Sequence, residues 1–351
     1  MKTSNKGIWV VIGLVLTLAL SLAACGGDDD DDSGNTGTSA GGGGELEAKD
    51  VAFLPKEIDN PYFSVAEAGG QAAASQLGGE FKQVGASEAS APAQVPFINT
   101  LTAQGVDAIA VSANDPEALV SALQRASQAG VKIVTYDSDT NPEARDLFIN
   151  QASTEDVGKV LVEMISQQIG GQGEIAILSA ASTATNQNAW IDVMEEELAK
   201  PENSGIELVK TVYGNDDDAK SLQEAQSLLQ GFPNLKGIVS PTTVGIAAAA
   251  RALESTGKAG QVALTGLGTP NDMRKYVKDG TVTEFALWDP EQLGYLTYYA
   301  ATALADGTVS GEEGETFEAG DLGERTVGPE GEVVLGPPTK FNQDNIDDYD
   351  F

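Results

Sequence analysis

A chain of 351 residues with 53 acidic and 20 basic side chains carries a formal charge of −33 at neutral pH. Such a surface repels phosphate and speaks against nucleic acid as a partner. Histidine is absent and Cys25 is the single cysteine, which excludes histidine general bases, Ser-His-Asp triads, histidine-held zinc, internal disulfides and cysteine-based metal sites.

Lys2 and Lys6 flank the start of an apolar stretch, 8–20, and Leu22-Ala23-Ala24-Cys25 sets small residues before the cysteine. This is the pattern of a lipoprotein signal peptide, removed before Cys25 with the thiol then acylated. An uncleaved membrane helix is the weaker reading, because an apolar run of about 17 residues is at the short edge of a span and leaves the cysteine unexplained. The expectation is a signal peptide over 1–24, lipid on Cys25, and a chain held at the outer face of the cell membrane.

Residues 25–45 are mostly Gly, Ser, Thr and the run Asp28-Asp29-Asp30-Asp31-Asp32. They bury no apolar area and read as a disordered tether, with a coil reach of roughly 25 Å. The aspartates do not make an EF-hand loop, since the register that puts Gly34 at the turn puts Ala40 where a glutamate is needed.

From residue 50 the pattern alternates. Strands are predicted at 51–54, 81–84, 108–111, 131–135 and 147–149, with helices at 61–77, 96–104 and from Asp115 to near Gly130. The alternation resumes with helices at 154–169, 188–198, 217–229, 244–254, 271–277 and 291–305, and strands at 174–178, 206–212, 237–239, 262–264 and 282–287. Residues 312–350, rich in Gly, Pro and acids, read as a strand-poor tail packed on the surface. Short strands apolar on both faces and joined by helices mean parallel sheets covered on both sides. The predicted fold class is α/β, with two Rossmann-like doubly wound lobes joined by a multi-strand hinge and a ligand in the cleft between them. One lobe takes 46–151 and about 290–325, the other 152–289 and about 326–351.

Open parallel sheets bind ligands beyond the carboxyl ends of their strands, and here those ends are polar. Lys56, Asn60, Tyr62 and Phe63 follow the first strand; Asp137 and Asp139 follow the fourth; Thr183, Thr185, Asn186, Gln187 and Trp190 follow 174–178. Pro241, Thr242 and Thr243 follow 237–239, and Trp288 and Asp289 follow 282–287. Carboxylates and amides pair with vicinal hydroxyls, and aromatic rings stack on sugar C–H faces, so the set has the chemistry of a sugar site. Asp115 and Asp217 read as helix starts, and Trp190 within its helix reads equally as core. Asp137-Ser138-Asp139 is not a calcium loop, with Pro142 and Phe148 where glycine and glutamate are needed. Gly266-Leu267-Gly268 lacks the third glycine of a dinucleotide loop and reads as a tight turn.

Several strings together give a family resemblance: Ala52-Phe53-Leu54-Pro55-Lys56, Val111-Ser112-Ala113-Asn114-Asp115-Pro116, Tyr136-Asp137-Ser138-Asp139, Thr183-Ala184-Thr185-Asn186-Gln187-Asn188, Ser240-Pro241-Thr242-Thr243-Val244-Gly245 and Phe285-Ala286-Leu287-Trp288-Asp289-Pro290. The chain from Val51 on resembles the type 1 periplasmic-binding proteins, the ribose-binding-like receptors of ABC importers, and within them the rhamnose-binding and autoinducer-2-binding subgroup. The resemblance implies a monomeric receptor, not an enzyme, without cofactor or metal, that closes on a sugar and docks on a permease. Lys56, Asp137, Gln187 and Pro241 match ligand contacts of the autoinducer-2 receptors, but Asn186 and Thr243 stand where those carry aspartate and alanine. The rhamnose type carries both strings as they stand here, which favours L-rhamnose or a related deoxyhexose, with autoinducer-2 as the alternative. The candidate ligand set is Lys56, Asn60, Phe63, Asp137, Asp139, Asn186, Gln187, Trp190, Pro241, Thr242, Thr243, Trp288 and Asp289. Asp137 would accept a hydroxyl pair, Lys56 would donate to a ring or anomeric oxygen, and Trp288 or Phe63 would stack.

Overall fold

A computed structural model describes residues 46–351; the signal peptide, Cys25 and the tether lie outside the described residues. The first run of elements is β1 (Asp50–Leu54), α1 (Pro61–Leu77), β2 (Glu80–Gln83), α2 (Ala91–Gln104), β3 (Ala108–Val111), α3 (Val120–Gln128), β4 (Lys132–Tyr136) and β5 (Leu147–Asn150). The second is α4 (Thr154–Ile169), β6 (Gly173–Ser179), α5 (Thr185–Leu198), β7 (Ile206–Tyr213), α6 (Asp218–Gly231), β8 (Leu235–Ser240), α7 (Thr243–Thr256), β9 (Ala263–Gly266), α8 (Pro270–Lys278), β10 (Glu284–Leu287) and α9 (Pro290–Asp306). Four short strands follow: β11 (Thr316–Glu318), β12 (Glu324–Thr326), β13 (Glu332–Val334) and β14 (Thr339–Asn342).

One sheet has the order β13-β5-β4-β3-β1-β2 and a second the order β7-β6-β8-β9. All pairings within both are parallel. A parallel bridge from Leu267 to Ala286 carries the second sheet on to β10, which pairs antiparallel with β14. Strands such as β3 are buried at every residue, as a sheet covered by helices on both faces requires. These are the two α/β lobes expected, and the chain passes from one sheet to the other after β5, after β10 and between β13 and β14.

The tail departs from expectation. It is not strand-poor, and β13 completes the edge of the first sheet beside β5. The return to the second lobe therefore falls at 335–338 rather than near 326. Strands this short carry no apolar alternation; β13 is held by its backbone ladder and by the Asn150 amide, which donates to Glu332 Oε1 at 2.6 Å. Helix starts also move, α5 by three residues to Thr185 and two others by five. Pro92 sits in the first turn of α2, where its missing N–H costs nothing, so that helix begins at Ala91, ahead of Pro96. Asp115 caps only a turn, accepting from the Glu117 and Ala118 amides at 2.9 Å each, and α3 begins later, at Val120.

Caps fix the helices that open onto the cleft. Asn60 accepts from the Tyr62 amide at 3.0 Å and Pro61 pre-sets the first turn of α1. Asp289 does the same for α9, accepting from the Glu291 and Gln292 amides at 2.9 and 3.3 Å. Helices α1 and α9 cross at two glycines. A Cβ on Gly69 would lie 1.8 Å from the Glu291 carbonyl oxygen, and one on Gly294 1.8 Å from that of Ala66. Backbone against backbone is the contact that sets how the two strand-to-helix turns face each other.

Candidate functional site

The carboxyl ends of β1, β4, β6, β7, β8 and β10 converge on one small cavity, with free room of about 30 Å³. Its wall contains Lys56, Asn60, Phe63, Asp137, Gln187, Trp190, Pro241, Thr242, Thr243 and Trp288. Ten of the thirteen sequence-predicted residues thus meet in one place.

At the centre is a buried charge cluster. Lys56 Nζ donates to Asn186 Oδ1 at 3.1 Å and Gln187 Oε1 at 3.4 Å, and lies 3.8 Å from Asp137 Oδ2. Asn186 Nδ2 donates back to Asp137, at 3.3 Å to its carbonyl and 3.4 Å to Oδ1. Lys56 and Asp137 come from the first lobe and Asn186 and Gln187 from the first turn of α5 in the second, so these bonds span the cleft. Asp137 adopts a left-handed backbone at φ 61°, which aspartate tolerates better than most residues. That turn takes it out of β4, and Ser112 Oγ donates to Oδ2 at 2.8 Å. Asn186 stands behind the wall as the link between Lys56 and Asp137.

The apolar walls are aromatic. Trp288 Nε1 donates to Tyr62 Oη at 2.8 Å, which spends the indole N–H and leaves its ring as a face. Trp190 lies tilted against it, centroids 5.7 Å apart, and Phe63 meets Tyr62 edge-on at 5.1 Å. Burial, and then the Asp137 charge, push the Tyr62 hydroxyl well above the usual phenol range, so it remains a neutral donor.

Two predicted residues do not belong to the wall. Asp139 is engaged by the Arg145 guanidinium in a two-pronged pair, 2.8 Å on each oxygen, and accepts from its neighbour Thr140 N at 2.9 Å. Asp289 is the cap of α9 described above. Both carboxylates are engaged by protein groups and lie off the cavity wall. Four residues absent from the candidate set line the cavity: Tyr62, Asp216, Leu267 and Leu287. Asp216 follows β7 at φ 53° and accepts from the Thr242 hydroxyl. Burial raises its carboxyl, Asp137 adds to that, and Lys56 and Thr242 oppose it. Gln94 was also missed. Its buried amide donates to the Pro55 and Ser112 carbonyls at 3.0 and 2.8 Å and accepts from Asn114 N at 3.0 Å. Asn114 in turn donates to the Lys56 carbonyl at 2.8 Å, so Gln94 holds the loop that aims Lys56. A glutamine between Ala93 and Val95 in the first turns of α2 is its only trace in the sequence.

Among the described residues no group of three or more acidic, histidine or cysteine side chains could hold a metal ion, and no helix is long and apolar enough to cross a membrane. A cavity between two parallel-sheet lobes, with a satisfied charge cluster and aromatic faces, defines a solute-binding protein.

The profile of the periplasmic binding protein domain matches residues 51–308. A sugar ABC transporter protein from Actinomyces odontolyticus is 54% identical, covering 86% of this chain and 97% of its own, with a TM-score of 0.70. An ABC transporter solute-binding protein from Clostridium phytofermentas, solved with bound L-rhamnose, is 37% identical over 87% of this chain and 98% of its own, TM-score 0.84. LsrB from Clostridium saccharobutylicum, in complex with AI-2, is 28% identical over 86% and 99%, TM-score 0.82. The chain belongs to the periplasmic binding protein family, an extracytoplasmic family of receptors, and is not an enzyme.

Proposed function

We propose that this chain is the receptor of an ABC sugar importer, tied to the outer face of the cell membrane by lipid on Cys25, and that it takes L-rhamnose or a related deoxyhexose to a permease. The observation that carries this is the Lys56–Asp137–Asn186–Gln187 cluster set against the Trp288, Trp190 and Phe63 faces. It offers hydroxyl donors and acceptors on one side and a C–H stacking surface on the other. The 37% identical relative holding L-rhamnose supports the choice of sugar. The AI-2-bound relative supports the alternative, against which stands the amide of Asn186 where a carboxylate would be expected.

A thermal-shift panel of pentoses, hexoses, deoxyhexoses and AI-2 on the detergent-solubilised chain tests this. L-Rhamnose at a hundredfold excess over its dissociation constant should stabilise by about 2.7 kcal/mol, and the Cys25 peptide of the same material should carry the mass of its acyl chains. A shift with AI-2 alone would move the assignment to that ligand, and no shift with any of them would end the sugar reading.

Binding should also depend on pH through Glu57. Burial, then the facing charge of Asp216 from the other lobe, push its carboxyl from the ordinary 4.5 to about 7 in the closed arrangement. Opening removes both causes, so closing takes up a proton. The resulting contribution to closure is complete below about 4.5 and lost as pH rises through about 7. Sugar affinity should therefore rise as pH falls from about 8 to 6, and Glu57→Gln should flatten that profile. Calorimetry across the range that found the two profiles parallel would exclude this origin.

A further inference from the structure

We infer that Asp216 is a ligand-contacting, charge-selecting residue of the cavity, one that accepts a hydroxyl from a neutral sugar and turns away sugars bearing a carboxylate or phosphate. The inference rests on the receptor reading above and deepens it.

Position comes first. Asp137 enters the cavity from the first lobe and Asp216 from the second, after β7, so the two carboxyls face a common space from opposite walls. Asn215 and Asp216 both hold left-handed backbones, at φ 58° and 53°. Two such residues in a row fold the chain back over the cavity, a conformation that Asn and Asp bear with little cost. Thr242 is the residue that opens α7, yet its side chain makes no cap bond to that helix and donates to Asp216 instead. One hydroxyl occupies one of about four acceptor positions on a carboxylate, which leaves Asp216 able to take a ligand hydroxyl at the wall it lines.

Charge comes second. Among the described residues lining the cavity, Asp137 and Asp216 stand against the single ammonium of Lys56. Asn60, Asp216 and Thr243 also line a neighbouring outer groove, which adds Glu57, Asp59, Glu88, Asp217 and Asp272. The one cation in that groove among the described residues, Arg251, is already paired with Asp218. An anionic solute meets an acidic groove beside the cavity and, within the cavity, two carboxyls against one ammonium. A neutral polyol meets acceptors for its hydroxyls at both walls.

The test is titration calorimetry of L-rhamnose and of the anionic hexose D-galacturonate on the whole chain and on Asp216→Asn. Asparagine tolerates the left-handed backbone and can still accept from Thr242, so the substitution changes charge and one acceptor with little else. The expected result is a tenfold or greater loss of rhamnose affinity, with the preference for rhamnose over galacturonate reduced at least threefold. A purely structural role would weaken both ligands alike and leave the preference unchanged, which would overturn the assignment, as would wild-type rhamnose affinity in the variant. A wild-type chain that binds no sugar would overturn the receptor's sugar reading and this assignment with it, an outcome distinct from both.

Discussion

Asp137→Asn should lower sugar affinity about tenfold to a hundredfold while leaving the unliganded fold in place. A hydrogen bond to a charged group contributes about 1.5–3 kcal/mol, and each 1.4 kcal/mol is about a factor of ten in affinity. Asp137 accepts from Ser112 at 2.8 Å and from Asn186 at 3.4 Å, with Lys56 at 3.8 Å, so its carboxylate is positioned before any ligand arrives. Asparagine keeps the size and the left-handed backbone that alanine would strain, but exchanges one acceptor for a donor among donors. Breaking a buried ion pair can cost about 3–5 kcal/mol of stability. That cost is moderated here, because Lys56 retains the Asn186 and Gln187 oxygens at 3.1 and 3.4 Å. Calorimetry should thus find the loss in binding, with the denaturation midpoint of the free protein moved far less. Unchanged affinity would remove Asp137 from the ligand set.

Asp137, Asp139 and Asp289 look alike in the sequence, since each is a carboxylate just past an apolar strand. What separates them lies far along the chain or in local backbone geometry. Asp139 is claimed by Arg145 across a turn, and Asp289 by the amides of the helix it begins. Asp216 shows the reverse. Within Asn215-Asp216-Asp217-Asp218 the helix-start signal of Asp217 is strong and correct, its carboxylate accepting from Lys220 N at 2.7 Å, and it masks a neighbour that turns inward. The β1 to β10 frame was legible because each buried strand is a short apolar run between helices. Strands β13 and β14 were not, because a three- or four-residue edge strand is specified by the backbone groups it pairs with and not by its own pattern. The same limit hid Gln94, which acts through two carbonyls and an amide rather than through a motif.

Gly294→Val should destabilise the chain by about 3 kcal/mol or more, the upper part of the range for overpacking a close-packed contact, and should weaken sugar binding although it touches no ligand. Helix propensity alone points the other way, because glycine inside a helix is unfavourable by about 1 kcal/mol relative to alanine. Packing decides the sign. Even a single Cβ would sit 1.8 Å from the Ala66 carbonyl oxygen and 3.0 Å from its Cα, and those are backbone atoms of α1 that cannot swing aside as a side-chain tip would. Gly69 meets the Glu291 carbonyl in the same way from the other helix, so neither can yield without the other. The helices must separate, and each carries part of the site: α1 begins beside Asn60 and contains Tyr62 and Phe63, and α9 follows directly on Trp288. Parting them pulls at the bond from Trp288 Nε1 to Tyr62 Oη, 2.8 Å long, that joins the first lobe to the end of β10. Chemical denaturation should show the stability loss, and calorimetry on the folded fraction should show a weaker site. A variant with the wild-type midpoint would mean that α1 and α9 can move apart freely, and that this crossing does not set the geometry of the aromatic wall.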